Sequence, residues 1–592
     1  EISRSLVGSE MCIRDSPTVD HPRLKRSAVE ARAYQLEGVA EALECSTLLV
    51  YPTAAGKTAV SAMVVAEVIS DGGRAVMLAP TVGLVEQHKS TLTNWLTGEV
   101  SVSTLTGATA AEKRKPLWNS SMVIIATPQV FHNDVLSGLV DPSTIEILIV
   151  DEAHHSVGSH AMGKSCDEFI IRGGEKILAM TASPGYSKSH VEALCRRLGI
   201  DRIHTRSSTD SGLKRYLSDL ELIEVRVEVP EELVELASPL KQWQEGLIDI
   251  ERRLGRYVHE GKVTYSGLSS AMERARGAIS RGDGTAFASV SRLALALTLN
   301  HLINHILSQG VGAAREFLRR KSSESSASKK STRAFLSDNR VTDLRNKLDA
   351  LDEVHSKIGT VRRLVSERLR RSPESKIIIF ANFRDTVASI HRAIEGIEGA
   401  TPLRFVGQSK RPEGGLTSKE QIQTISEFKQ GLGNILVATS VGEEGLDIPS
   451  ADLVIFYEPV GSETRTIQRR GRTGRRRQGD VVVLIAEGTR DEAAAIASHR
   501  REMAMMKSIH AVRRALKGGP INYSLLGSFS IEDIGGEIDA GRFIKNEREA
   551  NKYEFPKAEE AGSSMAISVI EEEKRAKPAA YRPSGQSGLD EF

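Results

Sequence analysis

The chain has 592 residues, of which 40% are hydrophobic and 26% charged, and its formal net charge is +2. A chain of this length is too long to fold around one hydrophobic core, so three or four structural units are predicted. The cysteines Cys12, Cys45, Cys166 and Cys195 are scattered without paired spacing, which argues against a disulfide framework or a zinc knuckle and favours a reducing, cytoplasmic compartment. Since no apolar run approaches the ~18 residues that cross a bilayer, no membrane role is expected.

The first predicted elements are buried parallel strands. Residues 1–16 have neither an initiator Met nor a signal-peptide core, resemble a translated adapter, and are excluded from the fold as a non-native leader. In residues 17–230, helical segments separate short apolar runs: TLLVY from Thr47, AVMLA from Ala75, MVIIAT from Met122, IEILIV from Ile145 and KILAM from Lys176. Such runs are typical of parallel strands, so this part is predicted to be a doubly wound α/β lobe.

The predicted organisation changes after this lobe. Residues 231–372 show helical periodicity and predict an inserted all-helical domain, in which RRKSSESSASKKSTR is expected to be a mobile basic loop. Residues 373–508 predict a second doubly wound lobe with the runs KIIIF from Lys376, NILVAT from Asn434, DLVIFY from Asp452 and DVVVLIA from Asp480. Residues 509–592 lack strand signals and are predicted to be a flexible, largely disordered tail.

Positive charge is concentrated in the insert. From Lys241 to Arg340 there are 17 Lys and Arg against 9 Asp and Glu, whereas the whole chain is only +2. This asymmetry favours a polyanionic partner for the insert.

The segment YPTAAGKT, from Tyr51 to Thr58, is a candidate phosphate-binding loop with one glycine instead of the usual two. In such a loop backbone N–H groups at a helix N-terminus converge on the phosphate, while a Lys supplies charge and a Ser or Thr binds the metal. The required context is present, because the strand TLLVY precedes the loop and a helical segment follows it. The candidate nucleotide contacts are Thr53, Ala54, Ala55, Gly56, Lys57 and Thr58.

Two acids, Asp151 and Glu152, follow the predicted strand IEILIV at the sheet edge where such folds bind ligands. Asp151 can hold Mg²⁺, and Glu152 can orient and deprotonate an attacking water. The alternative is a pair of solvent-facing charges. The nearby histidines lack a fourth ligand at metal spacing, so zinc is not predicted.

The segment QRRGRTGRRR, residues 468–477, contains Arg472 and Arg475, which are three positions apart and would share one helical face. Such arginines could form a nucleic-acid patch or a solvated surface. A third use fits better, because hydrolysis of a γ-phosphate needs positive charge that a facing domain can supply when a cleft closes.

These segments belong to a longer ordered series. RAYQ, PTAAGKT, APTVGLVEQH, TG, ATPQV, DEAHH, TASPG, IIIFANFRDT, RFVGQ, VATSVGEEGLDIP and QRRGRTGR occur in the order and spacing of a superfamily 2 helicase. Within that superfamily the chain resembles the helicase part of archaeal Hef and the Fanconi anaemia M-group translocase, from about Arg26 to Ser508. The resemblance implies two RecA-like lobes around the helical insert.

The resemblance also implies residue roles. Gln35 would bind the adenine edge, and Lys57 and Thr58 would bind the phosphates and Mg²⁺. Gly445 and Asp447 would contact the nucleotide from the second lobe. From the same lobe, three residues would act at the γ-phosphate: Gln468, Arg472 and Arg475. His154, Thr181 and Ser183 would couple the ATP cleft to the nucleic-acid track. Nucleic-acid backbone would pass Pro80, Thr81, Thr106, Gly107, Thr127, Pro128 and Thr439, which implies weak sequence preference.

The chain departs from the family pattern at two places. Relatives carry PTGxGKT, and Ala54 replaces the glycine; if this position needs positive φ, ATP affinity is expected to fall. After Met506 we find no nuclease-like ERK core, so the enzyme is expected to move DNA without cutting it.

The terminal QSGLDEF resembles the peptide that docks replication proteins onto the sliding clamp, PCNA. Gln586 would form hydrogen bonds while Leu589 and Phe592 fill an apolar pocket; a bland hydrophilic tail is the alternative.

The expected function is an ATP- and Mg²⁺-dependent DNA translocase or helicase that acts on branched DNA such as stalled forks. One alternative is an ATPase of the double-stranded RNA sensor type, since those relatives also carry a helical insert. Another is a DNA- and clamp-binding scaffold disabled at Ala54.

Overall fold

The computed structural model describes residues 17–52, 55–207, 210, 213, 222–325, 330–407, 415–439, 451–459, 480–516, 518–533 and 536–551. These residues form two large parallel sheets with helices on their faces, a helical region between them in sequence, and one small antiparallel sheet. The predicted α/β class, with two doubly wound lobes and a helical insert, is confirmed.

The first lobe is built on seven parallel strands in the order β4-β5-β3-β6-β7-β2-β8. In chain order its elements are β1 (Thr18–Asp20), α1 (Ala33–Glu44), β2 (Thr47–Val50), α2 (Lys57–Ser70), β3 (Ala75–Leu78), α3 (Val82–Trp95), β4 (Val102–Leu105), α4 (Ala111–Ser120), β5 (Val123–Ala126), α5 (Pro128–Leu136), β6 (Ile147–Val150), α6 (Ala161–Ile171), β7 (Lys176–Thr181), α7 (Lys188–Arg197) and β8 (Arg202–Thr205). All five predicted strands form. Within the seven-stranded sheet, the two strands that are not predicted, β4 and β8, are the edge strands, and both contain polar residues that interrupt an apolar run.

The continuous apolar runs have a direct structural cause. Helices cover both faces of the sheet, so Leu49 and Met77 point into one core while their neighbours Leu48 and Leu78 point into the other. Because both faces are buried, these strands do not alternate between apolar and polar residues.

After the first lobe the chain forms one strand and then a series of helices. These are β9 (Leu222–Val227), α8 (Glu231–Arg253), α9 (Tyr265–Ser280), α10 (Ala286–Asn304), a π-helical turn (His305–Gln309), α11 (Val311–Ser325), α12 (Lys330–Leu336) and α13 (Asn339–Ala350). No strand occurs among the described residues of 231–350, as predicted. The expected basic loop is helical where it is described, because α11 continues to Ser325 and α12 begins at Lys330.

One helical stretch, Ala286–Gln309, is long and apolar enough to cross a membrane, judged by length and composition alone; its mean hydropathy is 1.3 over the best window. Core helices of soluble proteins meet the same criterion. In this fold Leu299 and Leu302 pack with Leu240 of α8, and Leu293 packs with Ala271 of α9. Packing inside the insert therefore accounts for the apolar composition.

The second lobe contains six parallel strands in the order β11-β12-β10-β13-β14-β9. Its remaining elements are α14 (Ser356–Arg371), β10 (Ile377–Ala381), α15 (Arg384–Ile394), β11 (Pro402–Phe405), α16 (Ser418–Gln430), β12 (Ile435–Thr439), β13 (Leu453–Phe456), β14 (Asp480–Ala486) and α17 (Arg490–Ala515). The four predicted strands are confirmed.

The boundaries of this lobe differ from the predicted ones. Strand β9, which we assigned to residues 17–230, pairs in parallel with β14 and belongs to the second sheet. Helix α14, which we assigned to the insert, buries Val361 and Val365 in the same core as Ile377 and Ile379. An amphipathic helix or a lone strand does not indicate in its own sequence which core it will enter, so these assignments needed the tertiary structure.

The prediction of a disordered tail from residue 509 is wrong for the described part. Helix α17 continues to Ala515, and β15 (Ser530–Asp533), β16 (Gly536–Asp539) and α18 (Ala540–Asn551) follow. Strand β15 pairs with both β1 and β16, while Phe529 and Phe543 join the core beneath α1. The segment has few apolar residues among many polar ones, so its sequence is typical of a disordered tail. Its apolar residues are buried only because they pack on the surface of the first lobe.

Candidate active site at the carboxyl edge of the first sheet

Parallel strands deliver their carboxyl ends to one sheet edge, and the strand order divides the predicted residues into two groups. The neighbouring strands β6, β7 and β2 end at Asp151, at Thr181 and at the phosphate loop. The neighbouring strands β4, β5 and β3 end next to Thr106, Thr127 and Pro80. The edge therefore carries the predicted nucleotide residues in one half and the predicted nucleic-acid residues in the other.

The phosphate loop ends at Gly56, the N-cap of α2, which has a left-handed backbone with φ of 84°. A Cβ atom at this position would lie 2.1 Å from the Nε2 atom of Gln35. Both the positive φ and the close approach therefore require glycine. At the place of the usual first glycine, Tyr51 is buried and its hydroxyl donates to the carbonyl of Tyr34 at 2.7 Å, so this residue serves packing against α1.

Gln35 lies against the phosphate loop. Its Nε2 atom donates to the carbonyl of Ala55 at 3.0 Å, and the hydroxyl of Tyr34 donates to the same oxygen at 2.8 Å. Sequence reasoning missed Tyr34, although it stands inside the quoted motif RAYQ. The two side chains tie α1 to the loop, and adenine recognition by Gln35 stays a prediction.

Lys57 is the first residue of α2, and its Nζ atom donates to the carbonyl of Tyr51 at 3.1 Å. Burial lowers the pKa of Lys57, against the opposing charges of Glu152 and Asp151. The structure therefore brings this lysine close to both predicted acids. Thr58 follows it on the first turn of α2 and is half-buried.

Asp151 is buried and accepts two hydrogen bonds. Its Oδ2 atom lies 2.7 Å from Nε2 of His88, and its Oδ1 atom accepts from the backbone N–H of Glu152 at 3.0 Å. Burial alone would raise the pKa of Asp151, but the hydrogen bond to His88 and the charges of His88 and Lys57 outweigh it and lower this pKa. The carboxyl is therefore held ionised. Sequence reasoning did not assign a role to His88, the last residue of the quoted motif APTVGLVEQH.

Glu152 has a left-handed backbone, with φ of 49° and ψ of 51°, which is strained for a residue that carries a Cβ atom. Its Oε2 atom lies 3.4 Å from Nδ1 of His154. The turn after β6 thus separates the two acids: Asp151 points towards His88, and Glu152 points towards His154.

The three predicted coupling residues are in contact. Nδ1 of His154 lies 3.2 Å from Oγ1 of Thr181, and that oxygen accepts from the backbone N–H of Ser183 at 3.1 Å. Burial and the neighbouring His155 lower the pKa of His154 to about 4. The imidazole is therefore neutral near pH 7 and can accept a hydrogen bond from the Thr181 hydroxyl.

The predicted nucleic-acid contacts lie at helix starts or strand ends. Thr81 caps α3, with Oγ1 accepting from the backbone N–H of Leu84 at 3.3 Å, and Thr127 precedes α5, which begins at Pro128. Helix N-termini present backbone N–H groups that suit phosphate oxygens. Thr106 and Thr127 are buried, Gly107 is exposed, and Thr439 is buried at the end of β12 in the second lobe.

Several predicted residues lie outside the described ranges. They are Thr53, Ala54, Gly445, Asp447, Gln468, Arg472, Arg475, Gln586, Leu589 and Phe592. Within the described ranges, no group of three or more His, Cys, Asp or Glu side chains is placed to hold a metal ion. Thr58 and Asp151 offer one hydroxyl and one carboxylate, a donor set that suits Mg²⁺, which keeps several waters and uses nucleotide phosphates as further ligands.

The sequence matches two family models, DEAD/DEAH box helicase over residues 32–190 and helicase conserved C-terminal domain over residues 356–477. The crystal structure of the Pyrococcus furiosus Hef helicase domain is similar to this chain, with a TM-score of 0.62 and 32% identity, and the match covers 81% of this chain and 100% of that one.

Two curated relatives extend the comparison. MJ1505 of Methanocaldococcus jannaschii, named as an ATP-dependent RNA helicase, is 36% identical over 80% of this chain and 60% of its own length. The ATP-dependent DNA helicase mph1 of Neurospora crassa is 29% identical over 78% of this chain and 41% of its own length. The chain thus spans 60% or less of the length of these two relatives. From the motifs, the fold and these similarities, the chain belongs to the superfamily 2 helicases of the DEAD/DEAH box type.

Proposed function

We propose that this helicase uses ATP and Mg²⁺ to translocate on DNA and to remodel branched DNA such as stalled forks. Relatives named as DNA helicases support DNA as the substrate, among them mph1 of Neurospora crassa and Fancm of Drosophila melanogaster. MJ1505 is named as an RNA helicase, so RNA is the second candidate substrate.

One observation carries the proposal. Thr81, on the predicted nucleic-acid half of the sheet edge, is the N-cap of helix α3, and His88 of this helix contacts Asp151 on the predicted nucleotide half. A shift of α3 on binding a nucleic-acid backbone would therefore move the partner of an acid in the ATP site. This contact is a physical route by which nucleic acid can stimulate hydrolysis.

The proposed roles are those that the family resemblance implies for these positions. Lys57 would bind phosphate oxygens, Thr58 and Asp151 would hold Mg²⁺, and Glu152 would orient and deprotonate the attacking water. Mg²⁺ would neutralise charge on the phosphates. Arg472 and Arg475 are proposed to supply further positive charge at the γ-phosphate from the second lobe, and Gln468 is proposed to act beside them.

The basic insert is proposed to grip a duplex arm or junction, because positive charge is concentrated between Lys241 and Arg340. We further propose a cytoplasmic location and a clamp contact through Gln586, Leu589 and Phe592. Binding of purified chain to immobilised sliding clamp, compared with Phe592→Ala, tests the contact; equal binding by both contradicts it.

The rate of ATP hydrolysis tests the main proposal. It is measured without nucleic acid, with forked DNA and with duplex RNA, and Lys57→Ala serves as the blank because it removes the phosphate-binding charge. Stimulation by forked DNA is the expected result. Stimulation by RNA alone supports the RNA-dependent alternative, and absence of turnover supports a scaffold disabled at Ala54.

A further inference from the structure

The insert joins the second lobe through a buried π-helical turn, His305–Gln309, which ends at Gly310 with φ of 105°. All five residues of the turn are buried. A π-helical turn inserts an extra residue into a helix and is common at functional sites. Here the side chain of the last residue of the turn, Gln309, points towards the second lobe.

Each hydrogen-bonding group of Gln309 described here is paired with the second lobe. Its Nε2 atom donates to Glu458, its Oε1 atom accepts from the hydroxyl of Thr386 at 2.8 Å, and its carbonyl accepts from the hydroxyl of Tyr457 at 3.1 Å. Gln309 is only 3% exposed and Glu458 7%. One insert residue is thus bonded to α15 and to the residues that follow β13.

Glu458 connects the same point to the middle of the second sheet. It lies just after β13, and its Oε1 atom accepts from the backbone N–H of Asn382 at 2.5 Å, just after β10. Burial raises the pKa of Glu458, against the opposing charge of Lys357. The carboxyl therefore bridges the ends of two adjacent strands and the insert.

A second buried link lies beside the first. Nζ of Lys357 donates to the carbonyl of Ser308 at 3.2 Å and pairs with Asp491 at the start of α17. Lys357 and Asp491 are both buried. Buried polar networks with satisfied partners hold one geometry, so the insert and the strand ends should move as one unit.

The junction between the insert and the second lobe immediately precedes, in sequence, the segment with the predicted γ-phosphate residues. Glu458 and Pro459 lead directly into residues 460–479, which contain the predicted γ-phosphate residues Gln468, Arg472 and Arg475. A displacement of the insert would therefore move the start of that segment through the hydrogen bond between Gln309 and Glu458.

We propose that Gln309 and Glu458 are positioning residues that transmit the binding of DNA by the insert to the ATP-hydrolysing machinery of the second lobe. This inference rests on the proposed function, in which the insert holds DNA. Neither side chain need touch ATP, so the expected defect is in stimulation by DNA and not in hydrolysis itself.

An exchange of the two side chains tests the inference. Glu458→Gln places an amide donor against the amide donor of Gln309, and Gln309→Glu places a carboxyl against a carboxyl. The double variant Gln309→Glu with Glu458→Gln restores one carboxylate and one amide, so every hydrogen bond can form with the Gln309–Glu458 bond reversed. Thr386→Val removes one hydroxyl and serves as a milder variant if a single exchange prevents folding.

The readout is the ratio of hydrolysis with forked DNA to hydrolysis without it, measured with DNA affinity and KM for ATP. We expect each single exchange to lower the ratio about tenfold, with DNA affinity and basal hydrolysis changed less than about twofold. The double variant should recover most of the ratio, and Thr386→Val should lose part of it. Gln244→Glu is the matched control, because Gln244 is also buried in the insert but bonds to the carbonyl of Ala296 inside it.

Each outcome has a defined meaning. If the wild type responds to DNA and Gln309→Glu, Glu458→Gln and Thr386→Val respond equally, the inference is wrong while the proposed function stands. If the double variant shows no recovery, or Gln244→Glu loses the same stimulation, the effect is general destabilisation and the inference is again overturned. If the wild type shows no response to DNA, the proposed function fails and the inference falls with it.

Discussion

Asp151, the acid on which the candidate site depends, is held by a side chain 63 positions away in the sequence. His88 fixes one carboxylate oxygen and, with Lys57, keeps the pKa of Asp151 below its ordinary value. Loss of a group that orients a metal-binding side chain typically lowers metal affinity or activity by roughly 10–100-fold.

We therefore expect His88→Ala to lower ATP hydrolysis about tenfold and to raise the Mg²⁺ concentration for half-maximal activity by a similar factor. The cause is a carboxylate that is free to rotate and less firmly ionised. A Mg²⁺ titration of the hydrolysis rate measures both effects. His499→Ala, at an exposed position of α17, is the control. An unchanged Mg²⁺ requirement in His88→Ala would show that Asp151 does not depend on this contact.

His355 is a second residue whose protonation state is set by its contacts. It caps α14, where its Nδ1 atom accepts from the backbone N–H of Lys357 at 3.1 Å and its Nε2 atom donates to the carbonyl of Leu307 at 2.9 Å. A proton on Nδ1 would break the first bond. Burial and the charge of Lys357 outweigh the bond to Leu307 and lower the pKa of His355 from 6.5 to about 4.

Acid should consequently destabilise the protein through His355. As the pH falls from 6.5 towards 4, His355 becomes protonated in the unfolded chain but stays neutral in the folded chain. The free energy of unfolding therefore decreases, by about 3 kcal/mol for a pKa shift of this size. His355→Asn retains a capping side chain that does not titrate. We expect it to be less stable than the wild type at pH 7.5 but to lose less stability on acidification, as measured by urea unfolding across this range. Parallel pH profiles would contradict the assignment.

At the scale of elements, α14 shows that position in the sequence does not define membership of a core. It follows the insert, yet Ile358, Val361, Val365 and Leu369 are buried in the second lobe. Each such side chain contributes roughly 1.5–3 kcal/mol through burial, so together they are comparable with the 5–15 kcal/mol stability of a typical domain.

Two deletions of the insert should therefore behave differently. Removal of residues 231–350 with a flexible linker is expected to leave a folded second lobe, whereas removal of 231–372 takes α14 away and should unfold it. Circular dichroism and limited proteolysis distinguish the two. Equal melting of both variants would mean that α14 is dispensable. The shorter deletion then provides a folded protein in which lost fork affinity tests DNA gripping by the insert.

The elements after α17 complete the first lobe. Phe529 stacks on His21 with ring centroids 4.5 Å apart, and Nε of Arg548 donates to the buried Glu37 of α1 at 2.6 Å. Strand β15 supplies the partner of β1. These contacts make residues 518–551 part of the surface that supports α1 and, through it, Gln35.

A chain that ends at residue 551 keeps all of these contacts and is the reference for a shorter chain. A chain that ends at residue 516 loses five large buried apolar side chains, each worth roughly 1.5–3 kcal/mol. They are Leu526, Phe529, Ile531, Phe543 and Ile544. We expect it to unfold at lower urea concentration and to hydrolyse ATP poorly. If both truncated chains match the full chain, the packing of α18 on α1 contributes nothing measurable.

At the scale of the whole molecule, α17 connects the two lobes. It starts at the second lobe, where Asp491 pairs with Lys357, and ends on the first, where Ile509 and Val512 pack with Leu194 of α7. Its 26 residues span about 39 Å at 1.5 Å per residue. A change in the angle between the lobes must therefore bend α17 or repack one of its ends.

Substitution on α17 tests this connection. Ile509→Ala removes a fully buried side chain and should weaken the docking on the first lobe by about 2–5 kcal/mol. Hydrogen exchange of amides 505–515 is expected to accelerate, while the amides at the start of the helix stay protected. Ile496→Ala, on the same helix but 53% exposed, is the matched control. Equal hydrogen exchange in both variants would contradict the docking of the carboxyl end of α17 on the first lobe.

Much of the fold was accessible from the sequence because its signals are local. Runs such as ILIV before Asp151 are buried on both faces of a parallel sheet, and a strand, GKT and a helix in succession place Gly56 and Lys57 at a helix N-terminus. These properties belong to consecutive residues. They determined the inner strands of both large sheets, the two lobes and the candidate residues for the nucleotide.

Tertiary structure alone decided the rest. It placed β9 beside β14, α14 in the second lobe, residues 518–551 against α1, and His88 against Asp151. Each of these outcomes depends on which distant surface an apolar face or a polar side chain meets. That choice reflects the packing of the whole chain, and no short stretch of sequence contains it.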